Sequence, residues 1–265
     1  MPLSRSWVFN TALSNEQSAG HTEFDPSQST TFKHLDGQSF FISYGDSSNA
    51  SGTVGTDTVN IGGATVTSQA IELATAVSAS FATDVQSNGL VGLAFSRLNA
   101  VKPTKQRTFF DNISSSLAEP VLTANLKHAT PGAYEFGRID TTQYTGDLQW
   151  IPINAASGFW QFPSNTFSVG DGAIQQNTNG NPAIADTGTS LMLIDQSVVD
   201  GYYSEVKGST ISQTAGGVVF PCGTVLPDLK IAMGSSYMAT ISGSLLSYAE
   251  IGIGTNQDGS QTDCK

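Results

Sequence analysis

At residues 183–192 an apolar run, Ala183-Ile184-Ala185, leads directly into Asp186-Thr187-Gly188, and after Thr189-Ser190 a second apolar pair, Leu191-Met192, follows. An apolar run bounded by turn residues reads as a buried strand. Gly188 lets the loop after it turn sharply and lets backbone donors come close to the acid. A strand ending in a carboxylate on such a turn is how two-carboxylate hydrolases present an acid to a cleft. The plainer alternative is a capping or turn aspartate. Two-carboxylate chemistry needs two acids sharing one proton, because neighbouring like charges cannot both ionise cheaply. The device should therefore occur twice, and the 265 residues contain it once.

The rest of the chain fits a β scaffold around such a loop. Charged residues make up only 12% of it, and much of the remainder is Ser, Thr, Gly, Asn and Gln, the residues of short strands and turns. Twenty-two acidic residues against 11 basic ones give a net charge of −11. No basic patch is available to neutralise phosphates, so nucleic-acid binding is not expected. A low pI with few charges suits work in acid, where carboxylates lose charge without strong net repulsion. No stretch reaches the roughly 18 apolar residues of a membrane span. Met1 to Ser6 has no apolar leader core, so no signal peptide is read in this chain. Cys222 and Cys264 allow one disulfide or two buried thiols. His21, His34 and His128 lack metal-ligand spacing and read as surface residues.

Local patterns give the order of elements. Residues 38–44 form a strand ending at the turn signal Gly45-Asp46-Ser47-Ser48, and Gly52 to Val59 return, a hairpin with Tyr44 near its tip. Asn60-Ile61-Gly62-Gly63 turns the chain into a further strand over Ala64 to Leu73. Thr108 starts a helix in capping-box style, with Ile113 and Leu117 on one face. Asp195 is expected to cap a second helix through Val198, Val199, Tyr202 and Val206, stopped by Gly208. A lobe boundary is expected near Thr145-Gly146-Asp147, giving an N-terminal lobe over 1–145 and a C-terminal lobe over 146–265.

Five stretches in this order carry a family resemblance: Trp7-Val8-Phe9-Asn10-Thr11, residues 24–32 (Phe-Asp-Pro-Ser-Gln-Ser-Thr-Thr-Phe), Tyr44-Gly45-Asp46, residues 89–94, and Asp186-Thr187-Gly188-Thr189-Ser190. The chain resembles a pepsin-family aspartic endopeptidase of the fungal penicillopepsin and aspergillopepsin type. The resemblance implies an all-β, two-lobed pepsin-like acid protease fold with a few short helices, an extracellular location and no cofactor. It implies hydrolysis of peptide bonds near bulky hydrophobic residues at acid pH. There one carboxylate activates a water and the other, protonated, polarises the scissile carbonyl. The implied partner is a peptide or protein substrate; neither a nucleic acid nor a membrane is implied, and the oligomeric state stays open.

The resemblance also assigns roles. Asp186 is one catalytic acid, framed by Thr187 and Ser190, with Gly188 and Thr189 at the substrate. Tyr44, Gly45 and Asp46 belong to a flap over the substrate, the Tyr44 hydroxyl lying near Trp7, with Asp46 otherwise a plain turn residue. Phe81 and Leu90 line the pocket for the residue before the cleaved bond, or simply pack the core. Cys222 and Cys264 form a disulfide, and no metal is involved. Asp57 lies mid-strand with no glycine after it and is not taken as catalytic. The family's first catalytic aspartate falls before Met1, and family strands continue beyond Lys265, so the chain is expected to be incomplete at both ends and inactive alone. The strand entering Asp186 is expected at the centre of its sheet. The alternative is a catalytically dead protein that keeps a peptide-binding cleft.

Overall fold

The computed structural model describes residues 6–251 and 263–265. Met1 to Arg5, most of the segment read above as lacking a leader core, lie outside the described residues. The chain forms two compact units. The first comprises Met1–Leu148, Asn154–Trp160 and Ala185–Ser190; the second comprises Gln149–Ile153, Gln161–Ile184 and Leu191–Lys265.

The first unit is built on one sheet of five strands: β1 (Trp7–Phe9), β2 (Lys33–Ser43), β3 (Asn49–Ile61), β4 (Ala64–Val77) and β5 (Gly89–Leu90), in the spatial order β2-β3-β4-β1-β5. β1 runs parallel to β4 and antiparallel to β5. The two hairpins follow from their turns. Tyr44 to Ser48 close the first, and Gly62 and Gly63, both at positive φ, close the second. Alternation is plain in β2, where Phe40 and Ile42 are buried and Phe41 between them is 64% exposed. Trp7, Phe9, Phe40, Ile42, Val54 and Val101 form the main core. The β3–β4 ladder shifts register between Ser51 and Gly52 and again between Asp57 and Val59. At the first shift the two backbones are so close that a Cβ on Gly52 would lie 1.9 Å from the Leu73 carbonyl oxygen. Of the run 89–94, only Gly89 and Leu90 join the ladder.

Short helices cover this sheet: α1 (Asn15–Ser18), α2 (Ala79–Thr83) and α3 (Phe109–Ile113). Thr108 caps α3, its hydroxyl accepting from the Asp111 N–H at 3.2 Å. α3 stops at Ile113, so Leu117 lies beyond the helix, yet both pack with Phe109, Phe110, Phe136 and Trp160. A two-stranded ladder, β6 (Leu122–Asn125) with β7 (Ala133–Phe136), completes the unit.

In the second unit β8 (Gln161–Phe162), β9 (Thr166–Val169), β10 (Gln175–Gln176) and β11 (Ala183–Ile184) precede the longest helix, α4 (Gln196–Ser204). β12 (Thr210–Ser212), β13 (Gly217–Pro221), β14 (Leu229–Met233), β15 (Tyr237–Ile241) and β16 (Asp263–Cys264) follow. They make sheets of order β10-β9-β14-β15 and β12-β13-β16 and a pair, β11-β8. α4 buries Val198 and Tyr202 among Phe167, Phe220 and Leu229, and Val206 joins them past the helix end. Gly208 follows at φ +80°, the expected stop.

Two expectations need correction. Asp195 sits at the N-cap position of α4 but does not cap with its side chain. Its carboxylate is taken instead by the amides of Asn177 and Asn181, each at 2.6 Å. The strand into Asp186 is not central. β11 is two residues long and pairs with β8 alone among the described residues, because the chain turns off at Ala185. Leu191, Met192 and Leu193, which follow the loop, are all exposed.

Candidate active site

β1 and the hairpin of β2 and β3 bring four of the sequence-derived residues together. The Trp7 indole Nε1–H donates to the Tyr44 hydroxyl at 2.7 Å. Phe81, on α2, meets both rings edge to face, with centroids 5.1 Å from Trp7 and 5.3 Å from Tyr44. Such tilted aromatic contacts are favoured by the ring quadrupoles. Leu90 on β5 is the register partner of Trp7 and packs on the same core. A cavity of about 420 Å³ beside these strands is lined by Trp7, Leu90, Phe24, Ile71, Asp57 and Phe109, among others.

The turn that carries Tyr44 is held by Asp46. Its carboxylate accepts from the Ser48 hydroxyl at 2.6 Å and from the Ser48 N–H at 3.0 Å. These bonds, the hydroxyl first, hold Asp46 below the usual carboxylate range. Gly45 precedes it. Ser47 takes φ +70°, a left-handed conformation that a glycine would adopt without cost.

Asp186 lies in the 185–190 loop, which groups with the first unit. The loop is fixed at its entry, where the Ala185 N–H donates to the Trp160 carbonyl at 3.0 Å. One carboxylate oxygen of Asp186 accepts from the Gly188 N–H at 2.9 Å and the other from the Thr189 hydroxyl at 2.8 Å. Partial burial pushes the acid up, but hydrogen bonds to its charged form, those of Gly188 and Thr189 among them, outweigh burial and leave it below its ordinary value. Thr187 and Ser190 flank the loop and are exposed. The arrangement holds a half-buried, hydrogen-bonded carboxylate at the end of a short strand.

Asp57, set aside from the sequence, is buried in β3 and bonded to the Thr31 hydroxyl and the Thr58 N–H, a structural acid. Among the described residues no cluster of three or more His, Cys, Asp or Glu could hold a metal ion.

His21, read from sequence as a surface residue, is not one. Its ring stacks on Phe9 at 3.9 Å, and its nitrogens lie 2.9 and 3.1 Å from the carbonyl oxygens of Ser87 and Ala82. It thereby ties the segment carrying Phe81 to β1. The polar residues beside it in the chain carry no signal of this, because its partners come from residues 61 and 66 positions away.

In the second unit Cys222 and Cys264 are joined, with S–S 2.10 Å and Cα atoms 4.9 Å apart, the pairing that the resemblance implied.

A mostly-β chain of this architecture with an Asp-Thr-Gly loop matches the family described as eukaryotic aspartyl protease over residues 4–259. The chain belongs to that family. It is 55% identical over 258 residues to an aspergillopepsin A-like aspartic endopeptidase of Aspergillus fumigatus, covering 97% of this chain and 60% of that protein. It is 46% identical over 249 residues to penicillopepsin-1 of Penicillium janthinellum, covering 94% and 75%. Aspartic protease PEP3 of Coccidioides posadasii is 48% identical over 254 residues, covering 95% and 57%. The chain therefore spans less than two thirds of the length of the first and third of these relatives. The crystal structure of the aspartic proteinase from Irpex lacteus superposes with a TM-score of 0.73 at 22% identity, covering 91% of this chain and 69% of that one, a likeness of fold. No helix among the described residues is long and apolar enough to cross a membrane.

Proposed function

We propose that this chain carries one half of the catalytic machinery of a secreted aspartic endopeptidase, an enzyme that cleaves peptide bonds near bulky hydrophobic residues in acid without a cofactor. Asp186 supplies one carboxylate of a proton-sharing pair. The ionised member of such a pair removes a proton from the attacking water, and the protonated member polarises the scissile carbonyl. The Gly188 N–H and the Thr189 hydroxyl keep Asp186 ionised and oriented. Trp7, Tyr44, Phe81 and Leu90 receive an apolar side chain, and Tyr44 with Gly45 and Asp46 covers it. Along the chain, the boundary between the two lobes falls near Thr145-Gly146-Asp147.

The observation that carries this reading is the hydrogen-bonded, accessible Asp186 loop in a chain of this family. One Asp-Thr-Gly in 265 residues favours a further step: as it stands, this polypeptide holds an apolar peptide without cutting it. A peptide-binding protein without protease activity is the second reading, and the same experiment separates the two. The purified 265-residue chain is assayed at low pH on a denatured protein and titrated with an apolar peptide. We expect no pepstatin-sensitive cleavage, and binding that Phe81→Ala weakens. Cleavage abolished by Asp186→Ala would show that these residues suffice for catalysis. Absence of binding would remove the pocket.

A further inference from the structure

The chain holds two Asn-x-Ser triplets, Asn49-Ala50-Ser51 and Asn112-Ile113-Ser114. As sequences they are equivalent acceptors for an N-linked sugar. The fold makes them different.

Asn112 lies in α3. Its Nδ2, the atom that would carry the sugar, donates to the Gln69 side-chain carbonyl at 2.8 Å. Gln69 is 2% exposed, and its own amide donates to the carbonyls of Ala70 and Arg107, each at 3.0 Å. Ile113, the middle residue of the triplet, is buried against Phe109 and Phe110. A sugar on Asn112 would have to leave through this packing and would pull apart a satisfied buried amide network.

Asn49 opens β3 immediately after the turn that carries Tyr44. It faces Ser43 across the ladder, and its neighbour Ala50 is fully buried. Alternation therefore puts Asn49 and Ser51 on the outward face of the hairpin. Asn49 is half-buried, and its Nδ2 makes only a long, solvent-exposed bond of 3.4 Å to the Ser47 carbonyl. The same outward face carries Phe41, opposite Ser51 and 64% exposed. Phe41 and Asn49 are thus diagonal neighbours, about 7–8 Å apart in such a ladder. An exposed aromatic ring offers a flat apolar surface with a negative face, which suits the C–H face of a sugar. The Cys222–Cys264 disulfide marks a chain matured in an oxidising compartment, where N-linked sugars are also added.

We propose that Asn49 carries an N-linked oligosaccharide whose first sugar lies over Phe41, and that Asn112 carries none. This rests on the secretory reading above. In the transfer, the Asn49 Nδ2 attacks the anomeric carbon of a lipid-diphosphate-linked oligosaccharide. A C–N bond forms, the bond from that carbon to the diphosphate oxygen breaks, and the amide proton passes to a base of the transferase.

The full chain is exported from a eukaryotic host behind a cleavable leader of that host, so that export does not depend on the chain's own location. Peptide N-glycosidase then converts occupied Asn to Asp, located by mass spectrometry. We expect conversion at 49 and none at 112. Asn49→Gln, and independently Ser51→Ala, should abolish the mobility shift; Ser114→Ala should leave it. Removing the sugar should lower Tm in the wild type but not in Phe41→Ser. An empty Asn49 in folded, exported protein, or a sugar on Asn112, would overturn the assignment. An occupied Asn49 whose sugar leaves Tm unchanged would overturn the packing on Phe41. None of these readouts involves proteolysis, so failure here and failure of the endopeptidase reading are distinguishable.

Discussion

Tyr44→Phe removes one oxygen atom and leaves the ring. Both edge-to-face contacts with Phe81 persist, so the change tests the hydrogen bond from Trp7 apart from the ring packing. Trp7 is 1% exposed, and its Nε1–H donates to the Tyr44 hydroxyl at 2.7 Å. Water cannot readily replace a partner at a site this buried. Leaving a buried donor unpaired costs about 1–3 kcal/mol. A loss of about 2 kcal/mol in a unit of this size lowers Tm by roughly 4–8 °C. The assay is thermal or urea unfolding followed by tryptophan fluorescence, run as a double-mutant cycle with Trp7→Phe, which removes the donor. In the Trp7→Phe background Tyr44→Phe should be close to neutral, giving a coupling of about 1–2 kcal/mol. The reasoning is refuted if Tyr44→Phe stays within about 0.5 kcal/mol of wild type, a surface-like effect. It is equally refuted if the loss is the same in both backgrounds, for then the hydroxyl acts through another partner.

Removing the Cys222–Cys264 bridge by paired Ala substitution frees a span of 42 residues, which the chain-entropy model values at about 4 kcal/mol. Denaturant titration should show the loss, and a change under about 1 kcal/mol would contradict it. Asp186 has a folded value below its ordinary 3.8. Its contribution to stability is therefore present above that pH and is lost as pH falls through the depressed value. The stability gap between wild type and Asp186→Asn should be largest near neutrality and close in strong acid. A gap that widens on acidification would reverse the sign. Ser47→Gly relieves a left-handed backbone and should stabilise by about 1 kcal/mol; calorimetry showing a loss would place the strain elsewhere.

What the sequence disclosed was local. The turn signals at Gly45 and at Gly62-Gly63 placed two hairpins within a few residues, because turn chemistry and alternation act over short distances. Thr108 capped its helix for the same reason. The helix beginning after Asp195 was also legible, but the side chain's partner was not. Asp195 could bond its own helix or the amides of Asn177 and Asn181, and only the folded loop decides between them. The strand entering Asp186 reads as the centre of its sheet, but β11 pairs with β8 alone among the described residues. Periodicity reports that a run can be buried, not which strands are present to bury it, and Leu191 to Leu193 are exposed. His21 was missed outright, since stacking on Phe9 and reaching two distant carbonyls leaves no mark on neighbouring residues. The pairing of Trp7, Tyr44 and Phe81 came from the family resemblance rather than from any local pattern.

The hairpin that carries Tyr44 has a mechanical side. Its ladder shifts register between His34 and Ser39 and then runs unbroken from Ser39–Thr53 to Ser43–Asn49. On its other edge β3 pairs with β4 at Ala50–Val77 and Ser51–Ala76, so the strand is held on both sides to within one residue of its end. Bending concentrates where a ladder is broken, and a strip tied along both edges leaves its freedom to the turn from Tyr44 to Ser48. There the Ser48 bonds to Asp46 fix the turn from within, and the bond from Trp7 is the latch that fixes it from without.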